Sequence, residues 1–191
     1  MDIRTTKLPG VLVLKPRRFS DARGYFVETY HEQLFRQTGI MIDFVQDNQS
    51  LSIRKGTIRG LHFQLPPMAQ AKLIRVLRGS IFDVAVDLRL ESPTYGQWVA
   101  EQISAESGEQ IFVPRGFAHG LCTLEPNTEV AYKVDNYYAP ASESGVIWND
   151  PGLNIPWPVG LNEAILSEKD RGLGTFKGFA SPFHYAQNAN V

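Results

Sequence analysis

The sequence predicts an all-β fold, a sandwich or barrel of many short strands. Three observations lead there. In residues 81–90, Phe82, Val84, Val86, Leu88 and Leu90 alternate with Asp83, Ala85, Asp87 and Arg89, the period-two pattern of a strand with one buried face. In residues 129–135, Val130, Tyr132 and Val134 share one face while Glu129, Lys133 and Asp135 share the other, so Tyr132 is expected on the buried side. Turn signals at Arg78-Gly79-Ser80, Ser107-Gly108 and Glu125-Pro126-Asn127 separate short apolar runs, the spacing of a sandwich or barrel.

The elements follow in chain order. Short strands are expected at 11–14 and 25–30, then two turns of helix at 31–38 stopped by Gly39. Strands follow at 44–53 and 57–63. Lys72 shares its parity with Ile74 and Val76, so it is expected to point inward at the mouth of a strand. The alternating strand at 81–90 precedes strands at 97–104 and 110–113, and the run at 129–135 completes the set. Residues 139–160, rich in Pro and Gly, read as an ordered loop. A short helix is expected at 167–172, with Ser167 as N-cap and Gly172 as stop. The helices are few, short and mainly C-terminal. Residues 1–191 read as a single domain with a frayed tail at 185–191.

Composition narrows the function classes. The chain has 191 residues and a formal net charge of −1, so no global basic character points to nucleic acid. No basic segment followed by an apolar run opens the chain, and no apolar stretch approaches the ~20 residues of a membrane span. The expectation is a soluble cytoplasmic protein with neither nucleic-acid nor membrane partners. The single cysteine, Cys122, excludes an internal disulfide and reads as a small buried hydrophobe.

Several residues are able to carry chemistry. His62 shares its strand parity with Ile58, Gly60 and Gln64; it is either a hydrogen-bonded core histidine or a pocket base. Arg59 beside it suits an anionic ligand, because guanidinium matches phosphate oxygens with a planar fork of donors; its alternative is surface solvation. Asp170 alone reads as an exposed helix carboxylate and matters only if the fold brings it to His62, where it would fix the tautomer and support the imidazolium. An inward Lys72 asks for an anionic partner. Tyr132 is either core packing or an acid. Arg23 lies in a turn, and the cluster Gln46 to Ser50 is unusually polar for a strand, which suggests a ligand-facing edge.

Residues 108–119 follow the pattern G-x5-P-x-G-x2-H through Gly108, Pro114, Gly116 and His119. This resembles the second motif of the cupins, jelly-roll β-barrels. The first motif, G-x5-H-x-H followed by a Glu, is represented by Gly56 and His62, with Gln64 in place of the second histidine and no following Glu. Two of the four ligands of a metal-binding cupin are therefore missing. Further segments, among them Phe19 to Glu28, Gln46 to Ser50, Arg59 to Gln64, Gln70 to Val76, Val113 to Gly120, Tyr137 to Pro140 and Leu166 to Asp170, resemble one branch in particular, the dTDP-4-dehydrorhamnose 3,5-epimerase family. The match spans nearly the whole chain.

The resemblance implies a cupin-type jelly-roll barrel that needs no metal or other cofactor. It implies His62 as base with Asp170 as its partner, Lys72 at the enolate oxygen and Tyr132 as the acid on the opposite face. It implies Arg23 and Arg59 at the diphosphate, Gln46 and Asn48 at the nucleotide and Tyr138 stacked on thymine. Phe26, Glu28, His119 and Lys169 complete the implied contacts to a dTDP-sugar. Members are typically homodimers that exchange N-terminal strands, here residues 1–30. Competing readings are an epimerase acting at C3 or C5 alone, a sugar-nucleotide ketoisomerase, a non-catalytic nucleotide-sugar-binding cupin, and a metal-dependent dioxygenase, which Gln64 and the missing Glu disfavour.

Overall fold

Alternation and turns become thirteen short strands in the computed structural model, which describes residues 1–185. The chain opens with β1 (Asp2–Thr5) and β2 (Leu12–Lys15), followed by a separate hairpin, β3 (Arg18–Asp21) and β4 (Gly24–Val27). Helix α1 (Glu32–Gln37) comes next. Then come β5 (Gln46–Ser52), β6 (Ile58–Gln64), β7 (Lys72–Arg78) and β8 (Ser80–Asp87). These lead to β9 (Trp98–Ser104), β10 (Gln110–Val113), β11 (Phe117–Thr123) and β12 (Thr128–Val134). The short β13 (Glu143–Gly145) and helix α2 (Glu168–Arg171) complete the set.

The strands form a six-stranded sheet, β1-β2-β10-β7-β12-β5, and a five-stranded sheet, β13-β6-β11-β8-β9. Every named pairing is antiparallel, as expected of a jelly roll. The predicted turns hold left-handed residues where they are needed, with Gly79 at φ 76°, Gly108 at 66° and Asn127 at 54°. The interior between the sheets is apolar, with Ile74, Val76 and Val130 from one and Ile81, Ala85 and Leu121 from the other. Side chains of this size each contribute about 1.5–3 kcal/mol on burial.

One expectation is corrected along β8. A single buried face is expected there, yet both are covered. Ile81, Asp83 and Ala85 face the barrel interior, while Val84, Val86 and Leu88 pack outside it against Leu153, Ile155, Phe176, Phe179 and Phe183. The C-terminal segment forms a third layer, so the acidic parity of the strand is the inward one. On the other sheet α1 plays the same part, laying Phe35 over Leu12, Leu73 and Phe112. Residues 139–160 are ordered as expected, but they hold a 3-10 turn at Pro140–Ser142 and β13. Tyr185 is not frayed: its N–H donates to Leu90 O at 3.0 Å. The rest of the expected frayed tail, 186–191, lies outside the described residues.

A second correction concerns β6. The pairing of β6 with β11 shifts register between His119↔His62 and Leu121↔Arg59. The shift centres on Gly60, whose φ is 127°, and it breaks strict alternation as a bulge does. Ile58 therefore faces outward with Cys122 and Trp148, while Arg59, His62 and Gln64 face the cavity. A Cβ on Gly60 would stand 2.5 Å from Gly120 Cα and 2.8 Å from His119 O. Gly60→Ala is expected to destabilise the protein by about 2–4 kcal/mol or to prevent folding. A thermal melt within a degree or two of wild type would contradict this.

Candidate active site

Between the sheets lies a cavity of about 470 Å³ lined by Arg59, His62, Lys72, His119, Tyr132, Lys169 and Asp170. A second lobe of about 300 Å³ shares His62, Lys72 and Tyr132 and adds Gln46, Asn48, Tyr138 and Glu143. His62 and His119 come from the five-stranded sheet, Lys72 and Tyr132 from the six-stranded one. A ligand in the cavity is thus flanked by an imidazole on one side and a phenol on the other. A larger open groove, lined by Lys15, Arg17, Arg18 and Ser104, contains none of these groups.

Asp170 reaches the cavity because α2 docks on β6. Ser167 caps the helix by accepting from the Asp170 N–H at 3.1 Å. The Asp170 carboxylate is 3% exposed and lies 2.5 Å from His62 Nε2. Burial alone would raise its pKa, but the bonds from His62, Ser167 and the Gly60 backbone together hold it below the usual carboxylate value. Asp170 is therefore an anion at neutral pH. With Nε2 engaged, His62 Nδ1 is the nitrogen left for a ligand.

Lys72 is pushed down to about 8 by burial, against the opposing pull of Asp83 and Glu143. Burial raises Tyr132 above the ordinary phenol value, which keeps it protonated and able to donate. Arg59 is held by Ser52 Oγ and Leu51 O, both at 3.1 Å, with its guanidinium at the cavity edge. On β5 the inward parity carries Gln46 and Asn48, joined by a 2.8 Å hydrogen bond, as the polar cluster predicts. Gln46 Oε1 accepts from the Tyr138 N–H at 3.0 Å. Lys169 pairs with Glu143, and Tyr138 donates to the same carboxylate at 2.9 Å.

Arg23, Phe26 and Glu28 do not line this cavity. Arg23 and Phe26 sit on the β3–β4 hairpin, which among the described residues pairs only with itself. There Arg23 binds Asp21, and Phe26 is 66% exposed. Sequence reasoning also missed two carboxylates. Glu143 lies in what reads as loop, and Asp83 lies on what reads as the solvent face of β8. His119 Nε2 is 2.8 Å from Asp83 Oδ2.

Gln64, at a cupin ligand position, binds Met68 O at 2.6 Å and Tyr137 O at 3.1 Å and accepts from the Ala139 N–H at 2.7 Å. It ties loops together and its donor set is not that of a metal ligand. Among the described residues no group of three His, Cys, Asp or Glu is arranged to hold a metal. Burial pushes the Cys122 thiol up to about 11, which fits an inert core residue. No helix among the described residues is long and apolar enough to cross a membrane.

Comparison with known proteins agrees with this architecture. The family model described as dTDP-4-dehydrorhamnose 3,5-epimerase matches residues 5–178. A relative of that name from Sinorhizobium fredii is 45% identical over 98% of this chain and 95% of its own. A dTDP-4-dehydrorhamnose 3,5-epimerase structure from Bacillus anthracis, with TDP and pyrophosphate bound, is 51% identical with a TM-score of 0.89, covering 91% of this chain and 98% of that one. A dTDP-6-deoxy-D-glucose-3,5-epimerase structure from Legionella pneumophila, in complex with dTDP-4-keto-L-rhamnose, is 40% identical with a TM-score of 0.92, covering 97% and 98%.

Proposed function

We infer the function from one premise: the chain belongs to the dTDP-4-dehydrorhamnose 3,5-epimerase family. It converts dTDP-4-dehydro-6-deoxy-D-glucose to dTDP-4-dehydro-L-rhamnose by inverting C3 and C5, a step of dTDP-rhamnose biosynthesis. The observation that carries this reading is the Asp170–His62 pair facing Lys72 and Tyr132 across one cavity.

The chemistry follows from the substrate. Hydrogens on C3 and C5 are acidic because the C4 ketone turns the resulting carbanion into an enolate. His62 takes the proton through Nδ1, and the Asp170 anion stabilises the imidazolium that forms. Negative charge gathers on the C4 oxygen, where the Lys72 ammonium stabilises it most in the transition state. Tyr132 returns a proton from the opposite sheet, which inverts the carbon. His62 then loses its proton to solvent and Tyr132 regains one. The same base serves both carbons if the sugar shifts slightly in the cavity.

Nucleotide binding draws on the remaining polar groups. Arg59 holds the diphosphate, Gln46 and Asn48 position the nucleotide, and Tyr138 stacks on thymine, with His119 and Lys169 as further contacts. A homodimer that exchanges its N-terminal segment would bring Arg23, Phe26 and Glu28 to the cavity of the second copy. The self-paired β3–β4 hairpin and the exposure of Tyr25 and Phe26 on it support that arrangement. The reading places the enzyme in the cytoplasm, where sugar nucleotides are made.

Proton NMR with the 4-keto substrate in heavy water tests the reading. Loss of signal at both C3 and C5, with formation of the L-configured sugar in a coupled reductase assay, is the expected result. Exchange at one carbon would make the protein a single-site epimerase, and binding without exchange would make it a nucleotide-sugar-binding cupin. Arg59→Ala is expected to raise KM about 10-fold or more while kcat changes less than about threefold, since the diphosphate is gripped equally in ground and transition states. An unchanged KM would remove Arg59 from the diphosphate site.

A further inference from the structure

Asp83 is a buried carboxylate to which the reaction described above gives no task. It lies inside the barrel at 2% exposure, opposite Leu121 of the apolar interior. A carboxylate in such surroundings is costly unless it is paired. Other buried carboxylates in this protein have structural work. Asp87 gathers Arg89, Ser92 and Thr94, and Asp150 accepts from the backbone of Gly152, Leu153 and Phe176. Asp83 ties down no turn or loop. Its hydrogen bond among the described residues is to His119 Nε2.

His119 is the cross-strand partner of His62, and both line the cavity. Two histidine–carboxylate pairs therefore stand side by side, one fed from α2 and one from β8. Lys72 faces them from the other sheet. The charged and titratable groups around Lys72 are Arg59 and His62 on β6, Asp83 on β8, His119 on β11, Tyr132 on β12, Tyr138 beyond it, Glu143 on β13, and Lys169 and Asp170 on α2. Among the carboxylates, Asp170 is engaged by His62 and Glu143 by Lys169 and Tyr138. Asp83 has no lysine or arginine partner of its own among the described residues.

We propose that Asp83 is a positioning residue for the reaction: it holds His119 by Nε2 with Nδ1 turned to the sugar, and it sets a buried negative charge on the sheet that Lys72 faces. The pull of Asp83 on the lysine proton, which opposes the effect of burial, agrees with this placement. The inference rests on the epimerase reading above.

Asp83→Asn tests it, because the amide keeps the shape and an acceptor for His119 but removes the charge. Expected are a fall in kcat of about 30–100-fold with KM held within about threefold. Loss of the Lys72 proton is expected to give kcat/KM an alkaline limb, and in Asp83→Asn that limb is expected roughly one pH unit below the one measured for wild type. A limb that stays in place, with or without a lower melting temperature, would make Asp83 merely structural and overturn the proposal. Asp83→Ser carries the same measurement if the amide variant does not fold. Failure of both to fold would make Asp83 a folding residue and overturn it as well. Wild-type protein without turnover sinks the epimerase reading itself, whereas wild-type turnover with an unaltered Asp83→Asn profile sinks this inference alone.

Discussion

Replacing His62 by alanine is expected to abolish hydrogen exchange at both C3 and C5 while dTDP still binds. The fall in kcat is set by loss of the base, about 10³–10⁴-fold. Both carbons are affected together because among the described residues lining the cavity His62 alone pairs with the Asp170 carboxylate, at 2.5 Å. The nucleotide contacts assigned to Gln46, Asn48 and Tyr138 lie in the second lobe, so calorimetric affinity for dTDP is expected within about threefold of wild type. Deuterium incorporation is the readout. Exchange at the wild-type rate at either carbon would mean that a different group removes that proton, and the assignment of His62 would fail there.

This experiment bears on a contact that the residues alone did not disclose. His62 and Asp170 are 108 positions apart, and nothing local to Ser167-Glu168-Lys169-Asp170 says which strand α2 will meet. Only the resemblance to a family paired them. The barrel itself was legible, because β12 and the turns at Gly79 and Gly108 obey local rules of alternation and left-handed geometry. Alternation also placed Lys72 and Tyr132 correctly, since β7 and β12 run regularly through that region.

The same rule failed on β6 and β8, for separate reasons. On β6 the bulge at Gly60 advances the face by one residue, so Arg59 and His62 point inward together. A lone glycine in a strand was the available sign of that bulge. On β8 alternation cannot say which face is interior when a distant segment buries the other one. Phe176, Phe179 and Phe183 cover the apolar parity, which turns Asp83 into the barrel. A run of apolar residues opposite two aspartates thus marks a doubly covered strand whose acidic side is the inward one.

Lys72→Met is expected to cost activity and add stability in the same molecule. Without the ammonium the enolate oxygen loses its principal countercharge, and kcat should fall about 10²–10³-fold. The fold, in contrast, loses a charge that burial disfavours. The lysine sits at about 8 in the folded protein against an ordinary value of 10.5. A folded pKa below the unfolded one means that the unfolded chain binds more protons between those values, so wild-type stability rises with pH there. Below about 8 the penalty is fully present, and removing it is worth on the order of 1–3 kcal/mol, reduced because Asp83 then keeps only His119 as partner. Thermal melts near pH 7 should therefore show the variant roughly 2–6 °C more stable, with the gap closing as pH climbs from about 8 toward 10.5. A variant that is less stable at pH 7, or a gap that ignores pH, would show that Lys72 is neutral or well paired in the resting protein. The enolate would then have to be met by some other charge. The opposed signs separate a catalytic lysine from a structural one, because a lysine kept for the fold would lower both activity and stability when removed.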